Sequence, residues 1–245
     1  MRTAGTNCDK ETVFAFQTTG AEVDLLHINE FIRKKKTLSQ YKILAIPGGF
    51  SYGDDISAGK VLANELKYKF QGEVEKFVKD GKLVIGICNG FQVLVKTGLL
   101  PPRSTLTFND SSKFEDRWVY LKNVNRKNCI FTRGIDTIYL PVAHAEGKFV
   151  TDRQALEDLR KNDEIVFKYV NDKGKKAGYP WNPNGSMENI AGICNKEGNV
   201  FGMMPHPERF LTKYQHPRWL REKISMKGDG VKIFKNAVQF AAKHL

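Results

Sequence analysis

The sequence predicts an α/β fold: a mostly parallel sheet covered by helices on both faces, with a β-rich insertion in the second half. Three observations lead there. In the first half, short apolar runs alternate with helical patterns, as buried parallel strands and their covering helices do. The second half holds more strand-like runs than helical ones. The chain has 245 residues, 41% of them hydrophobic, enough to enclose one large core.

Taken in order, residues 23–28 read as a strand, and Ile43-Leu44-Ala45-Ile46 as a second that Pro47-Gly48-Gly49 stops. A helix follows over residues 58–79, with Val61, Leu62, Leu66, Phe70, Val74, Phe77 and Val78 on one stripe. Residues 83–87 form a wholly apolar strand, and residues 89–99 a short helix ended by Pro101-Pro102. Further strands are expected at residues 117–124, 137–143, 165–170, 190–194 and 200–204. The last helix, residues 230–243, turns Val231, Phe234, Val238 and Ala241 inward. All of this reads as a single domain over residues 1–245. One element is short. A buried strand should precede the turn at residues 4–9, yet only Met1, Arg2 and Thr3 stand there. The expectation is a truncated first strand with a natural start upstream of Met1.

Lys and Arg number 39 against 27 Asp and Glu, a net charge of +12. The basic residues fall in scattered patches at residues 33–36, 122–127, 173–176 and 213–223. No RNA-binding signature accompanies them, so they read as a solvated surface and no nucleic-acid partner is expected. No apolar run approaches the ~20 residues of a membrane span, and no basic-then-apolar leader opens the chain. No membrane partner is expected, and the cytoplasm is the expected compartment. Cys8, Cys88, Cys129 and Cys194 show no C-x-x-C pairing, which argues for reduced thiols and against a metal site.

The chemistry concentrates in three segments that follow predicted strands. Gly86-Ile87-Cys88-Asn89-Gly90 lies where a strand turns sharply into a helix, the geometry of a nucleophile elbow with cysteine in place of serine. The thiol there meets a helix amino terminus, which favours the thiolate. A small cysteine packed between strand and helix is the plain structural alternative. A base is needed, and His206 in Met204-Pro205-His206-Pro207-Glu208-Arg209 has a carboxylate two residues on. In extended chain, residues i and i+2 project to one side, so Glu208 can orient the imidazole. His27 and His244 fall in element patterns, and His216 in a charged loop. The third segment is Pro47-Gly48-Gly49-Phe50-Ser51-Tyr52-Gly53-Asp54. Its glycine N–H groups, Gly49 above all, can join the N–H of Asn89 in an oxyanion hole.

In this order, strand–Pro-Gly-Gly, Gly-x-Cys-x-Gly-x-Gln and Pro-His-Pro-Glu resemble the class I glutamine amidotransferases. The resemblance implies a flavodoxin-like doubly wound core and a Cys88–His206–Glu208 triad that forms a glutamyl thioester. It places Gln92 and the Gly48-Gly49 backbone at the glutamine substrate. By the same analogy, His144 and Glu146 of Ala143-His144-Ala145-Glu146-Gly147 line the glutamine pocket; a purely structural role is the other reading.

A finer resemblance covers nearly the whole chain. Gly5-Thr6-Asn7-Cys8-Asp9, the segment from Pro47 to Asp54, Cys88-Asn89-Gly90-Phe91-Gln92, Phe114-Glu115-Asp116-Arg117-Trp118-Val119, Pro183-Asn184-Gly185-Ser186 and Met203-Met204-Pro205-His206-Pro207-Glu208-Arg209 look like the PurQ-type glutaminase subunits of phosphoribosylformylglycinamidine synthase. Residues 54–60 depart from the pattern, as do residues 62–70 and 214–226. The resemblance implies hydrolysis of L-glutamine in this chain and use of the ammonia by a separate, PurL-type synthetase subunit. It also implies a small PurS-type accessory subunit. No cofactor is expected in this subunit, with ATP and Mg in the synthetase. A stand-alone cysteine hydrolase of the related one-domain α/β type is the alternative.

Overall fold

The computed structural model describes residues 1–126 and 129–245; Lys127, the end of one predicted basic patch, lies outside them. In chain order the elements are α1 (Asp9–Gln17), α2 (Ile28–Ile32), β1 (Ile43–Ile46), α3 (Lys60–Lys79), β2 (Leu83–Ile87), α4 (Asn89–Thr97), β3 (Ser104–Thr107), β4 (Glu115–Asn123), β5 (Thr137–His144), β6 (Lys148–Thr151), α5 (Arg153–Lys161), β7 (Ile165–Val170), β8 (Ile190–Cys194), β9 (Val200–Met203) and α6 (Val231–His244). Seven strands form one sheet in the order β1-β2-β9-β8-β7-β4-β5, and β3 pairs with β6 apart from it.

β2 is flanked by β1 and β9, both parallel to it. All five of its residues are buried, as a strand covered on both faces requires. From β9 to β5 every pairing is antiparallel; this is the β-rich half that the sequence predicts. The sheet is therefore mixed, its parallel portion being β1, β2 and β9. The apolar stripe of α3 buries Leu62, Leu66, Phe70, Val74 and Phe77. α6 buries Ile233, Phe234, Ala237 and Ala241, and Phe234 meets Phe16 of α1 edge-on at 5.0 Å.

Parallel pairing fixes where the chemistry collects. β1, β2 and β9 end on the same sheet edge, which brings Pro47-Gly48-Gly49, Cys88 and the segment holding His206 together. Four reversals return β5 to the direction of β9, so His144 reaches that edge too. The His206 N–H closes the arrangement on Pro141 O at 2.8 Å.

The amino-terminal region corrects one expectation. Residues 23–28 are not a strand: residues 21–26 are irregular and α2 begins at Ile28. Only one parallel bridge joins Arg2 to His27, whose imidazole instead caps α2 through Asn29 N–H. On the other side the Met1 ammonium donates to Ala45 O at 2.8 Å. Met1, Arg2 and Thr3 thus lie between β1 and residues 26–28. Beside them runs a groove of about 520 Å³, bounded by β1, residues 20–26, α1 and α6.

Candidate active site

Cys88 joins β2 to α4 with φ 52° and ψ −105°, a conformation that L residues rarely hold. The two flanking glycines permit it. A Cβ on Gly86 would fall 2.5 Å from Gly90 O, and one on Gly90 would fall 1.9 Å from Ile46 O. The Cys88 N–H bonds Met203 O at 2.8 Å, anchoring the elbow to β9. Cys88 is 6% exposed as a residue, and its sulfur lies 3.7 Å from Ala143 O, beside the amino terminus of α4.

Two prolines hold the segment that follows β9, and His206 Nδ1 meets Glu208 Oε1 at 2.6 Å with both side chains buried. Nε2 is buried without a partner among the described residues. Gly48 shows what the ring faces. A Cβ there would lie 2.8 Å from His206 Cε1 and 3.3 Å from both Cys88 Cβ and Cys8 Sγ. Burial alone would favour the neutral imidazole, but the charges of Glu208 and Cys88 hold its pKa well above the ordinary histidine value. This favours an imidazolium beside the thiol.

Gly49 has φ 138° and a Cβ there would strike Asn7 N and Gly5 O, so the turn beside the thiol requires glycine. Asn89 is the first residue of α4, where an N–H has no intrahelical acceptor. Its side chain faces the other way: Nδ2 donates to Asp54 Oδ1 at 2.9 Å and to Gln92 Oε1 at 3.1 Å, and Oδ1 accepts from Ser51 N–H. Burial, then the Glu146 charge, raises the Asp54 pKa against the N–H donors of Gly59 and Asn89.

The remaining predicted residues cluster here as well. Gln92 Nε2 donates to Glu146 O at 2.5 Å, so both ends of that amide are engaged within the protein. Glu146 Oε2 accepts from Ala58 N–H, tying the 50–59 loop to the end of β5. His144 Nδ1 pairs with Asn109 Oδ1 at 3.1 Å, and Asn109 Nδ2 donates to His144 O. Its Nε2 is buried without a partner among the described residues. Burial, then the charge of His206, pushes the His144 pKa down to about 3.

Sequence reasoning assigned no role to Cys8, Asn109 or Arg209. Cys8 Sγ lies 3.9 Å from His206 Nδ1, and Arg209 Nη2 donates to that sulfur at 3.1 Å. Atoms of Cys8, His206 and Glu208 fall within 4.8 Å of one another. That spacing suits a metal ion as well, but the partners just named account for it. Cys8 stood in the Gly-Thr-Asn-Cys-Asp motif and Arg209 directly followed Glu208, which were the signals available.

A strained thiol at a helix amino terminus, beside a buried histidine–carboxylate pair on the parallel edge of an α/β sheet, is the arrangement of a cysteine nucleophile with its base and orienting carboxylate. Comparison with known proteins agrees. Residues 1–241 match the family model described as CobB/CobQ-like glutamine amidotransferase domain. Over 98% of this chain and 96% of the relative, the sequence is 48% identical to phosphoribosylformylglycinamidine synthase subunit PurQ of Dehalococcoides mccartyi. It is 45% identical to the PurQ subunit of Archaeoglobus fulgidus over 99% and 96% of the two chains. A chain in the structure of PurLQS from Thermotoga maritima superposes with a TM-score of 0.76 and 34% identity, covering 98% of this chain and 95% of that one. Another glutamine amidotransferase from Thermotoga maritima, at 17% identity and a TM-score of 0.57 over 95% and 91% of the chains, shares the fold. The chain belongs to the PurQ family of glutamine amidotransferase subunits.

Proposed function

We propose that this chain is the glutaminase subunit of phosphoribosylformylglycinamidine synthase and that Cys88, His206 and Glu208 carry out the hydrolysis. The observation that carries this reading is the buried His206–Glu208 pair, 2.6 Å apart, held beside Cys88 by the sheet edge. The Cys88 thiolate adds to the side-chain amide carbon of glutamine. Negative charge developing on the oxygen is met by the N–H groups of Gly49 and Asn89. The His206 imidazolium gives its proton to the departing nitrogen, the C–N bond breaks, and ammonia leaves a glutamyl thioester. The neutral imidazole then takes a proton from water, which displaces Cys88 and releases glutamate. Glu208 keeps Nδ1 protonated and supports the charged ring.

Gly48, Gln92, His144 and Glu146 surround the substrate in this reading. The buried, unpartnered Nε2 of His144 is the group with hydrogen-bonding capacity left for it. Gln92 acts through the loop it fixes, since its amide is already engaged. The ammonia goes to a PurL-type synthetase subunit, assisted by a PurS-type subunit, and there formylglycinamide ribonucleotide becomes the amidine. ATP and Mg belong to that subunit, and no cofactor acts in this one. We place the assembly in the cytoplasm; among the described residues no helix is long and apolar enough to cross a membrane.

The test uses the chain reconstituted with its synthetase. Cys88→Ala is expected to abolish glutamine-dependent synthesis and leave ammonium-driven synthesis intact, because the synthetase consumes ammonia whatever its origin. Loss of both activities in an assembled complex overturns the division of labour. Glutamine hydrolysis at full rate without any synthetase favours the stand-alone hydrolase.

A further inference from the structure

We propose that Cys8 and Arg209 form a positioning pair behind His206: the guanidinium, held on the Cys8 sulfur, fixes the imidazole and sets a positive charge beside its Nδ1 edge. The inference rests on the assignment of His206 as the proton carrier of glutamine hydrolysis. Cys8 Sγ is buried 3.9 Å from Nδ1, and Arg209 Nη2 donates to it at 3.1 Å. These contacts bring the cation within about 7 Å of the ring nitrogen, close enough for charge to matter in a water-poor site. Arg209 is half-buried in a turn whose other residues, 205–208 and 210–211, are buried. Backbone geometry holds the sulfur in place. Cys8 N–H bonds Gly48 O at 3.2 Å, and the thiol, the imidazole and Cys88 all pack around Gly48.

The pair answers a problem that the triad creates. His206 faces Glu208 on its own segment, Cys88 at the start of α4, His144 at the end of β5, and Cys8 ahead of α1; Glu11 of α1 acts on Arg209. Glu208, the Cys88 thiolate and the Cys8 contact all favour the imidazolium. A ring held too firmly protonated serves the first half of the reaction, in which it gives a proton to nitrogen. It fails the second, in which a neutral imidazole must take a proton from water. Arg209, held behind the ring on Cys8 Sγ, supplies the opposing charge. His144, with its depressed pKa, is neutral near pH 7.

The experiment is a kcat–pH profile of glutamine hydrolysis by the assembled complex, with an NMR titration of the His206 imidazole in the isolated chain. Arg209→Gln is expected to move the acidic limb of kcat and the imidazole titration up by about one pH unit. Its kcat near pH 7 should fall about tenfold with KM little changed. Arg209→Lys should keep both close to wild type. Cys8→Ala frees the guanidinium to solvent but also removes a sulfur contact that favours the charged ring, so both readouts should move up less than in Arg209→Gln, while Cys8→Ser, which keeps an acceptor, should stay close to wild type. If Arg209→Gln does not fold, Arg209→Met reads the same two quantities. A lower rate with an unmoved limb and titration marks a merely structural contact and overturns the proposal, as does wild-type behaviour of the Arg209 variant. A wild-type complex without glutaminase activity instead defeats the proposed function, and the imidazole titration still decides the role of the pair.

Discussion

Gly48 is the residue whose replacement reads the site most directly. A single methyl at this position meets His206 Cε1 at 2.8 Å and Cys88 Cβ at 3.3 Å, so the imidazole has to move away from the thiol. Gly48→Ala should therefore lower kcat by about a hundredfold or more, because small misplacements of a catalytic group are costly. Its melting temperature should change by only a few degrees. Wild-type kcat in that variant would mean that the imidazole is not held against Gly48. His144 gives a second residue-level test, through stability. Its folded pKa of about 3 lies below the ordinary 6.5, so the unfolded chain binds the proton more readily. The stability due to this neutral, buried ring is full above pH 6.5 and is lost as pH falls toward 3. By pH 5 the loss is about 2 kcal/mol. His144→Gln, which does not titrate, should flatten the urea midpoint between pH 7 and 5. An unaltered slope would show that the ring is not buried neutral.

At the level of elements, the site depends on how closely α4 approaches β1. The backbone of Gly90 rests on Ile46, where a Cβ would lie 1.9 Å from the carbonyl oxygen. Gly90→Ala must push α4 and β1 apart and should cost about 3 kcal/mol or more, read as a lower urea midpoint. A loss under 1 kcal/mol would show that the contact is slack. This elbow was legible in the sequence because its residues are contiguous: an apolar strand, a cysteine between glycines, then a helix. β2 and β7 were legible for a related reason, each being a short, mostly apolar run broken once, by Gly86 and by Lys168. α5 was not, since Arg-Gln-Ala-Leu-Glu-Asp-Leu-Arg-Lys buries only Ala155 and Leu159, too few apolar positions for so short and polar a segment to stand out. α1 buries Thr12, Ala15 and Phe16 while leaving Phe14 half exposed, so polarity and burial part company there. Residues 23–28 misled in the opposite sense. Val23, Leu25 and Leu26 line the groove, and the segment pairs through a single bridge to Arg2 rather than a ladder. Within the site, His206 and Glu208 could be paired from a spacing of two. Asn109 with His144, and Cys8 with Arg209, are joined only by the fold.

For the whole molecule, the open question is what the groove beside β1 accepts. Leu83 N–H bonds Lys42 O, so in a parallel ladder the even-numbered residues of β1 face β2. The N–H and C=O groups of Ile43 and Ala45 therefore point into the groove, and among them Ala45 O takes the Met1 ammonium. Arg2 N–H bonds Leu26 O on the opposite wall. Side chains from Val13, Phe16, Val23, Phe31 and Val238 line the space. Extended backbone carrying apolar side chains fits both features. Adding four alternating Val and Leu residues ahead of Met1 should raise the urea midpoint by a net few kcal/mol at most. Apolar burial contributes about 1.5–3 kcal/mol per side chain and is largely offset by about 1–2 kcal/mol of ordering per residue. A Gly-Ser extension of equal length should give no such rise. The pH dependence separates strand filling from general stickiness. In the parent chain, burial lowers the Met1 ammonium pKa from 8.0 to about 5 against the raising effect of Asp9. Its folded state binds the proton less readily than the unfolded chain, so stability is lost as pH falls from 8 to 5. A peptide N–H in the same place donates to Ala45 O without charge and titrates nowhere. The advantage of the apolar extension should therefore widen by about 3 kcal/mol between pH 8 and pH 5. The His144 contribution is common to both chains and cancels in the difference. An advantage that stays constant over this range would place the added residues outside the groove.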